Sequence, residues 1–83
     1  MTRSLAPKQT ELDLRGLRCP IPVIRLESAM RRLASDESIL VFADDPLARI
    51  DLPHAAHTAG MRCEPVESAD SRAFAFRIML PAR

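Results

Sequence analysis

Tryptophan and tyrosine are absent from this 83-residue chain, and phenylalanine occurs only at Phe42, Phe74 and Phe76. A platform of aromatics for stacking single-stranded nucleic acid is therefore not expected. An excess of one charge is lacking too. The net charge is +1, so no strong field draws the chain to nucleic acid or to an anionic membrane. Lysine occurs once, at Lys8, and every other basic side chain at neutral pH is an arginine. No apolar run approaches the ~18 residues of a membrane span. Arg3 and Lys8 enclose no continuous apolar stretch of the secretory kind. Two cysteines, Cys19 and Cys63, are too few for a disulfide scaffold. Reduced thiols and a cytoplasmic address are the simplest expectation.

What is present suits one small domain. The hydrophobic fraction of 47% is ordinary for a globular chain, though a core of this size is marginal and must be well placed. Residues 1–10 are polar, contain Pro7 and show no period, so a flexible tail is expected there, with the folded domain over 11–83. Leu12 and Leu14 alternate with Glu11 and Asp13, a short half-buried strand. Val23, Leu26, Met30 and Leu33 recur at helical spacing and predict a helix over about 20–33. The apolar run 39–43 is too short for a helix and reads as an interior strand. Asp44-Asp45-Pro46 repeats a helix-start signal. Leu47 and Ile50 give one amphipathic turn, Pro53 interrupts with Asp51 as a second cap, and the main helix runs over about 52–59 until Gly60 ends it. Strands follow over 61–67, where Pro65 demands an edge position, and over 73–80.

The order is βαβαββ. The first two strands, joined through a helix, should be parallel with a right-handed crossover, and the last two antiparallel. The expected fold class is α/β: a two-layer sandwich of a mixed four-stranded sheet with both helices on one face. The other face would carry Ala75, Met79 and one set from the second strand, either Ile39 and Val41 or Leu40 and Phe42. That is either ordinary surface apolarity or a docking or homodimer patch.

The chemistry concentrates at Cys19-Pro20-Ile21-Pro22. Proline is favoured in the first turn of a helix, so Pro20 reads as the first helical residue and Cys19 as its cap. Free N–H groups and the helix dipole would then favour a thiolate. Arg15 and Arg18 would add positive charge, Gly16 the turn, and Pro22 rigidity. Asp44 and Asp45, following the second strand, reach the same sheet edge, as helix caps or as a docking site for a basic partner. His54 and His57, spaced i, i+3, have no matching third ligand, so no metal site is expected.

The run from Asp13 through Arg15, Gly16, Arg18, Cys19, Pro20 and Pro22 resembles the signature of the TusA/SirA-like sulfur carriers. Ala43-Asp44-Asp45-Pro46 and Asp51-Leu52-Pro53 resemble that family too. The resemblance covers almost everything from Leu12 to Leu80. It implies a fold similar to the C-terminal domain of translation initiation factor three. It implies that Cys19 takes sulfane sulfur as a persulfide from a donor such as a cysteine desulfurase or rhodanese. The sulfur then passes to an acceptor protein in tRNA thiolation, sulfur oxidation or cofactor sulfuration, with no cofactor. The position between the prolines is often acidic in tRNA-thiolation members, and here it is Ile21. The implied topology sets the third strand parallel to the first at the opposite edge. Cys63 then lies at the other end of the sheet from Cys19, out of disulfide reach, as a packing residue. Two other classes compete: an adaptor module in which Cys19 does no chemistry, and a thiol redox protein, which would want a second nearby cysteine.

Overall fold

The computed structural model describes residues 8–34 and 36–81. Residues 1–7, most of the expected tail, lie outside them. The elements are β1 (Lys8–Asp13), α1 (Ile21–Met30), β2 (Glu37–Ala43), α2 (Ala48–Thr58), β3 (Arg62–Val66) and β4 (Phe74–Met79). The sheet order is β1-β2-β4-β3. β1 runs parallel to β2, and β4 is antiparallel to both β2 and β3. β3 is therefore parallel to β1 at the far edge, where Pro65 removes no donor that the interior of the sheet needs. Both helices cover one face, as the βαβαββ reading expects.

Register decides the faces. Ile39, Val41 and Ala43 lie opposite Ile78, Phe76 and Phe74, and all six are buried beneath the helices with Leu26, Met30, Leu52 and Ala56. Val23 and Leu33 pack against that cluster from the rim, so the α1 stripe is as the periodicity predicts. The outward set of β2 is consequently Leu40 and Phe42, opposite Arg77 and Ala75. This face is not a continuous apolar patch. Glu11, Leu40, Arg77 and Glu64 form one row across it, and the Arg15 guanidinium lies 5.6 Å from the centre of the Phe42 ring.

Three element extents and one buried face differ from the sequence expectation. β1 begins at Lys8, so Lys8, Gln9 and Thr10 belong to the sheet rather than to the tail; they pair with Glu37, Ser38 and Ile39. α1 stops at Met30, because Arg32 and Leu33 donate to the carbonyls three residues back at 3.1 Å each, tightening the last turn. α2 is continuous through Pro53, so neither an interruption nor a second cap forms. The carbonyl that Pro53 leaves without a donor is that of Arg49, an exposed residue, where water can serve it. Leu47 and Ile50 are not the buried side of an amphipathic turn, being 56% and 69% exposed. Gly60 ends α2 as expected: it takes φ +79, and Gly60 and Met61 N–H donate back to His57 and Ala56 C=O at 3.0 and 2.9 Å. That double bond pattern is the glycine-terminated helix end.

Leu26, fully buried on α1, is the test of this packing. Leu26→Ala should lose about 3 kcal/mol of stability, while Ile50→Ala should change it by under ~0.5 kcal/mol. Urea denaturation of the two variants measures both.

Candidate functional site

The β1–α1 loop is held at both ends by backbone bonds. Leu14 N–H donates to Phe42 C=O at 2.7 Å, and Ile21 N–H donates to Arg18 C=O at 2.9 Å. Gly16 turns the chain with φ +86, open to glycine far more than to other residues. Arg18, Cys19, Pro20 and Ile21 form a tight turn with a cis Cys19–Pro20 peptide. Pro20 is the N-cap of α1, and Pro22 falls inside its first turn. The helix thus starts after Pro20, and Cys19 precedes the cap instead of forming it.

The loop between β2 and α2 supplies the fastening. Asp44 Oδ1 accepts Gly16 N–H at 3.0 Å and faces Arg18 Nη1 at 3.4 Å. Asp45 Oδ2 accepts Cys19 N–H at 2.8 Å, and its Oδ1 accepts Leu47 N–H at 3.1 Å. These two N–H groups hold the Asp45 carboxyl below the usual carboxylate range. Asp45 does not cap α2 itself, whose N-cap is Leu47. It caps the turn leading in, where Ala48 N–H donates to Asp45 C=O at 2.9 Å. At 5% exposure, the Asp45 side chain is also out of a partner's reach, so the docking role expected of it is corrected. Asp44 remains partly exposed but engaged within the chain.

Cys19 is exposed and free, and its Sγ–H meets Asp51 Oδ2 at 3.6 Å. Partial desolvation, the Asp51 carboxylate and then Asp45 raise the thiol above its ordinary value. The donors and positive charges expected to favour a thiolate at Cys19 are engaged elsewhere or absent, on two counts. Pro20 and Pro22 carry no N–H, and Ile21 N–H is already given to Arg18 C=O, so the helix start is poor in donors. The arginines are also committed elsewhere. Arg15 grips Asp13 through Nε and Nη2 at 2.8 Å each and reaches Asp70 at 3.5 Å. This holds the Asp13 carboxyl at about 2 and pushes the guanidinium up. Arg18 turns to Asp44.

Asp51 and Asp70 are the site residues that sequence reasoning did not assign. Asp51 was legible as a second helix cap and as part of the Asp51-Leu52-Pro53 segment, not as a partner of Cys19, and nothing local marks Asp70 as a partner of Arg15. Ile21, Ile24, Leu47 and Ile50 are exposed at the starts of the two helices, the one that follows Cys19 and the one that carries Asp51. Cys63 lies near the start of β3, opposite Ile78, whereas Cys19 lies beyond the end of the parallel β1. They occupy opposite ends of the sheet, as expected. Cys63 packs against the core, and burial and then Glu64 push its thiol up. His54 and His57 share a cleft of about 730 Å³ with Cys63 and Glu64. Among the described residues no group of three or more His, Cys, Asp and Glu is placed to hold a metal ion, and no helix is long and apolar enough to cross a membrane.

A family model described as sulfurtransferase TusA matches residues 10–79. Among solved structures the chain is similar to the SirA-like protein of Desulfitobacterium hafniense, at 30% identity and a TM-score of 0.72. That likeness covers 83% of this chain and 93% of the other. The family and fold read from the sequence both stand.

The Asp45 clamp has a pH signature. Its carboxyl is lowered in the folded state, so its contribution is complete above the unfolded value of ~4 and is lost as pH falls through the lower folded value. Asp45→Asn keeps one acceptor and turns an amide donor toward one of the two N–H groups. The variant should be less stable than wild type at pH 7, with a smaller loss between pH 7 and pH 3. Urea midpoints at the two pH values decide this.

Proposed function

The chain belongs to the TusA sulfurtransferase family, and from that premise we propose that it carries sulfane sulfur as a persulfide on Cys19 and relays it between proteins. A sulfur-carrier role in general is what the family and the SirA-like neighbour support. The observation that carries the finer reading is an exposed, free thiol on a backbone pinned by Asp45. A carrier needs its sulfur reachable by a macromolecule, yet held in one place.

The transfer balances as thiol–disulfide-type exchange. The Cys19 thiolate attacks the outer sulfur of a donor persulfide, R–S–SH. A bond forms between Cys19 Sγ and that sulfur, the donor S–S bond breaks, and its electron pair leaves on the donor as R–S⁻. With the Cys19 proton counted, Cys19–SH and R–S–SH become Cys19–S–SH and R–SH. An acceptor thiolate repeats the step on the outer sulfur. No electrons enter or leave, so the exchange asks for no cofactor. The donor class is a cysteine desulfurase or rhodanese in a reducing compartment such as the cytoplasm. Ile21, Ile24, Leu47 and Ile50, exposed at the two helix starts, suit contact with a protein surface. Ile21 in place of an acid between the prolines points away from the tRNA-thiolation branch.

Intact-protein mass spectrometry after incubation with a cysteine desulfurase, pyridoxal phosphate and cysteine tests the relay. Wild type and Cys63→Ser should each gain one sulfur atom, and Cys19→Ser none. Failure of the wild type to load from that donor and from a rhodanese with thiosulfate would sink the reading in favour of an adaptor role.

A further inference from the structure

Cys19 Sγ and Asp51 Oδ2 stand 3.6 Å apart across 32 residues of chain. Asp51 belongs to the first turn of α2. The Cys19 backbone has its own anchor on Asp45, so the side-chain torsion is the main freedom left to the sulfur, and Asp51 takes it up. We propose that Asp51 is a positioning residue for Cys19: it accepts the Sγ–H hydrogen bond, sets the direction of the sulfur and keeps it a protonated thiol until a docked partner neutralises the carboxylate. This rests on the reading of Cys19 as the sulfur-bearing residue.

The charges around the thiol agree with that role. Asp51 faces it from α2, and Asp45 faces it from the loop before α2, both opposing ionisation. The remaining charges nearby are paired: Arg18 of the β1–α1 loop lies against Asp44, and Arg15 is held by Asp13 and Asp70. Asp51 accepts the hydrogen bond and is not the group that removes the proton. It acts by holding the proton on sulfur. A partner that brings a lysine or arginine against Asp51 removes the like-charge opposition. The Cys19 proton then leaves to solvent or to a partner base, and an equivalent proton is taken up when the donor R–S⁻ becomes R–SH. Between encounters the exposed sulfur stays out of the thiolate form on which alkylation and oxidation depend.

The experiment is the pH dependence of iodoacetamide alkylation in a Cys63→Ser background, read by intact mass, with folding of each variant checked by circular dichroism. Wild-type Cys19 should show a midpoint above that of free cysteine. Asp51→Asn, nearly the same shape without the charge, should move the midpoint down. Each unit of that shift should speed alkylation at neutral pH by about threefold, since a tenfold gain in thiolate is offset by lower nucleophilicity. Asp51→Glu should stay close to wild type. An Asp51→Asn profile superimposed on wild type overturns the proposal. So does a wild-type midpoint below that of free cysteine, which requires no variant. Alkylation needs no sulfur donor, so a failed persulfide loading with this alkylation pattern intact would count against the relay and not against the role of Asp51.

Discussion

One buried carboxylate, that of Asp45, ties together the lead-ins of both helices. Its two oxygens accept N–H groups from Cys19 and Leu47, so the start of α1 and the start of α2 are fixed relative to one side chain. The sheet puts that side chain in place. β1 and β2 are parallel and in register, with Asp13 opposite Phe42, so their ends emerge side by side and the residues after β2 meet the loop after β1. Asp44 extends the same fastening to Gly16 and Arg18. A slip of one residue in β2 would turn Ile39, Val41 and Ala43 away from the helices and shift both aspartates from the loop. The packing of the core and the placement of the thiol therefore stand on the same register.

That arrangement gives the sulfur position without giving it activation. The elements that usually lower a thiol are nearby in the chain yet spent on other partners. Prolines occupy the helix start where donors would be, and both arginines of the loop face carboxylates. What reaches the sulfur is negative, from Asp51 and Asp45. An enzyme acting on small molecules would gain from a permanently reactive nucleophile in a closed cleft. A carrier that meets water and small thiols between its partners gains from the opposite: a sulfur fixed in place, reachable, and quiet until a second protein changes its surroundings. The exposed isoleucines and leucine at the two helix starts are where such a protein would exclude water, which also strengthens every charge interaction around the thiol.

Local pattern carried most of the fold. The stripe of Leu26 and Met30, the short run of β2, the proline on the edge strand and the glycine after α2 each state their role within a few residues. The places where the sequence reading failed share a different cause. Lys8, Gln9 and Thr10 carry no apolar signal, and β2 recruits them by backbone pairing. Pro53 signals a break, but the carbonyl it frees belongs to Arg49, an exposed residue, and α2 continues through it. The site's key contacts join residues 26 to 32 positions apart, and no spacing rule reaches across that distance. The resemblance of Asp51-Leu52-Pro53 to a family segment marked the right residues without saying what they touch.

Arg15 shows most plainly why adjacency in sequence misleads about charge. Four residues before the cysteine, it reads as an activator. In the fold it is a strap on the other layer of the problem: it grips Asp13 at the end of β1, reaches Asp70 in the turn before β4, and covers Phe42 on the outward face of the sheet. Its charge is spent closing the open face, where the aromatic ring would otherwise be bare. The field at the sulfur is set instead by α2, an element that begins 29 residues later in the numbering yet packs directly against α1. Among the described residues the charges that act on Cys19 are the carboxylates of Asp51 and Asp45, so under the role proposed for Asp51 the positive charge would come from a partner.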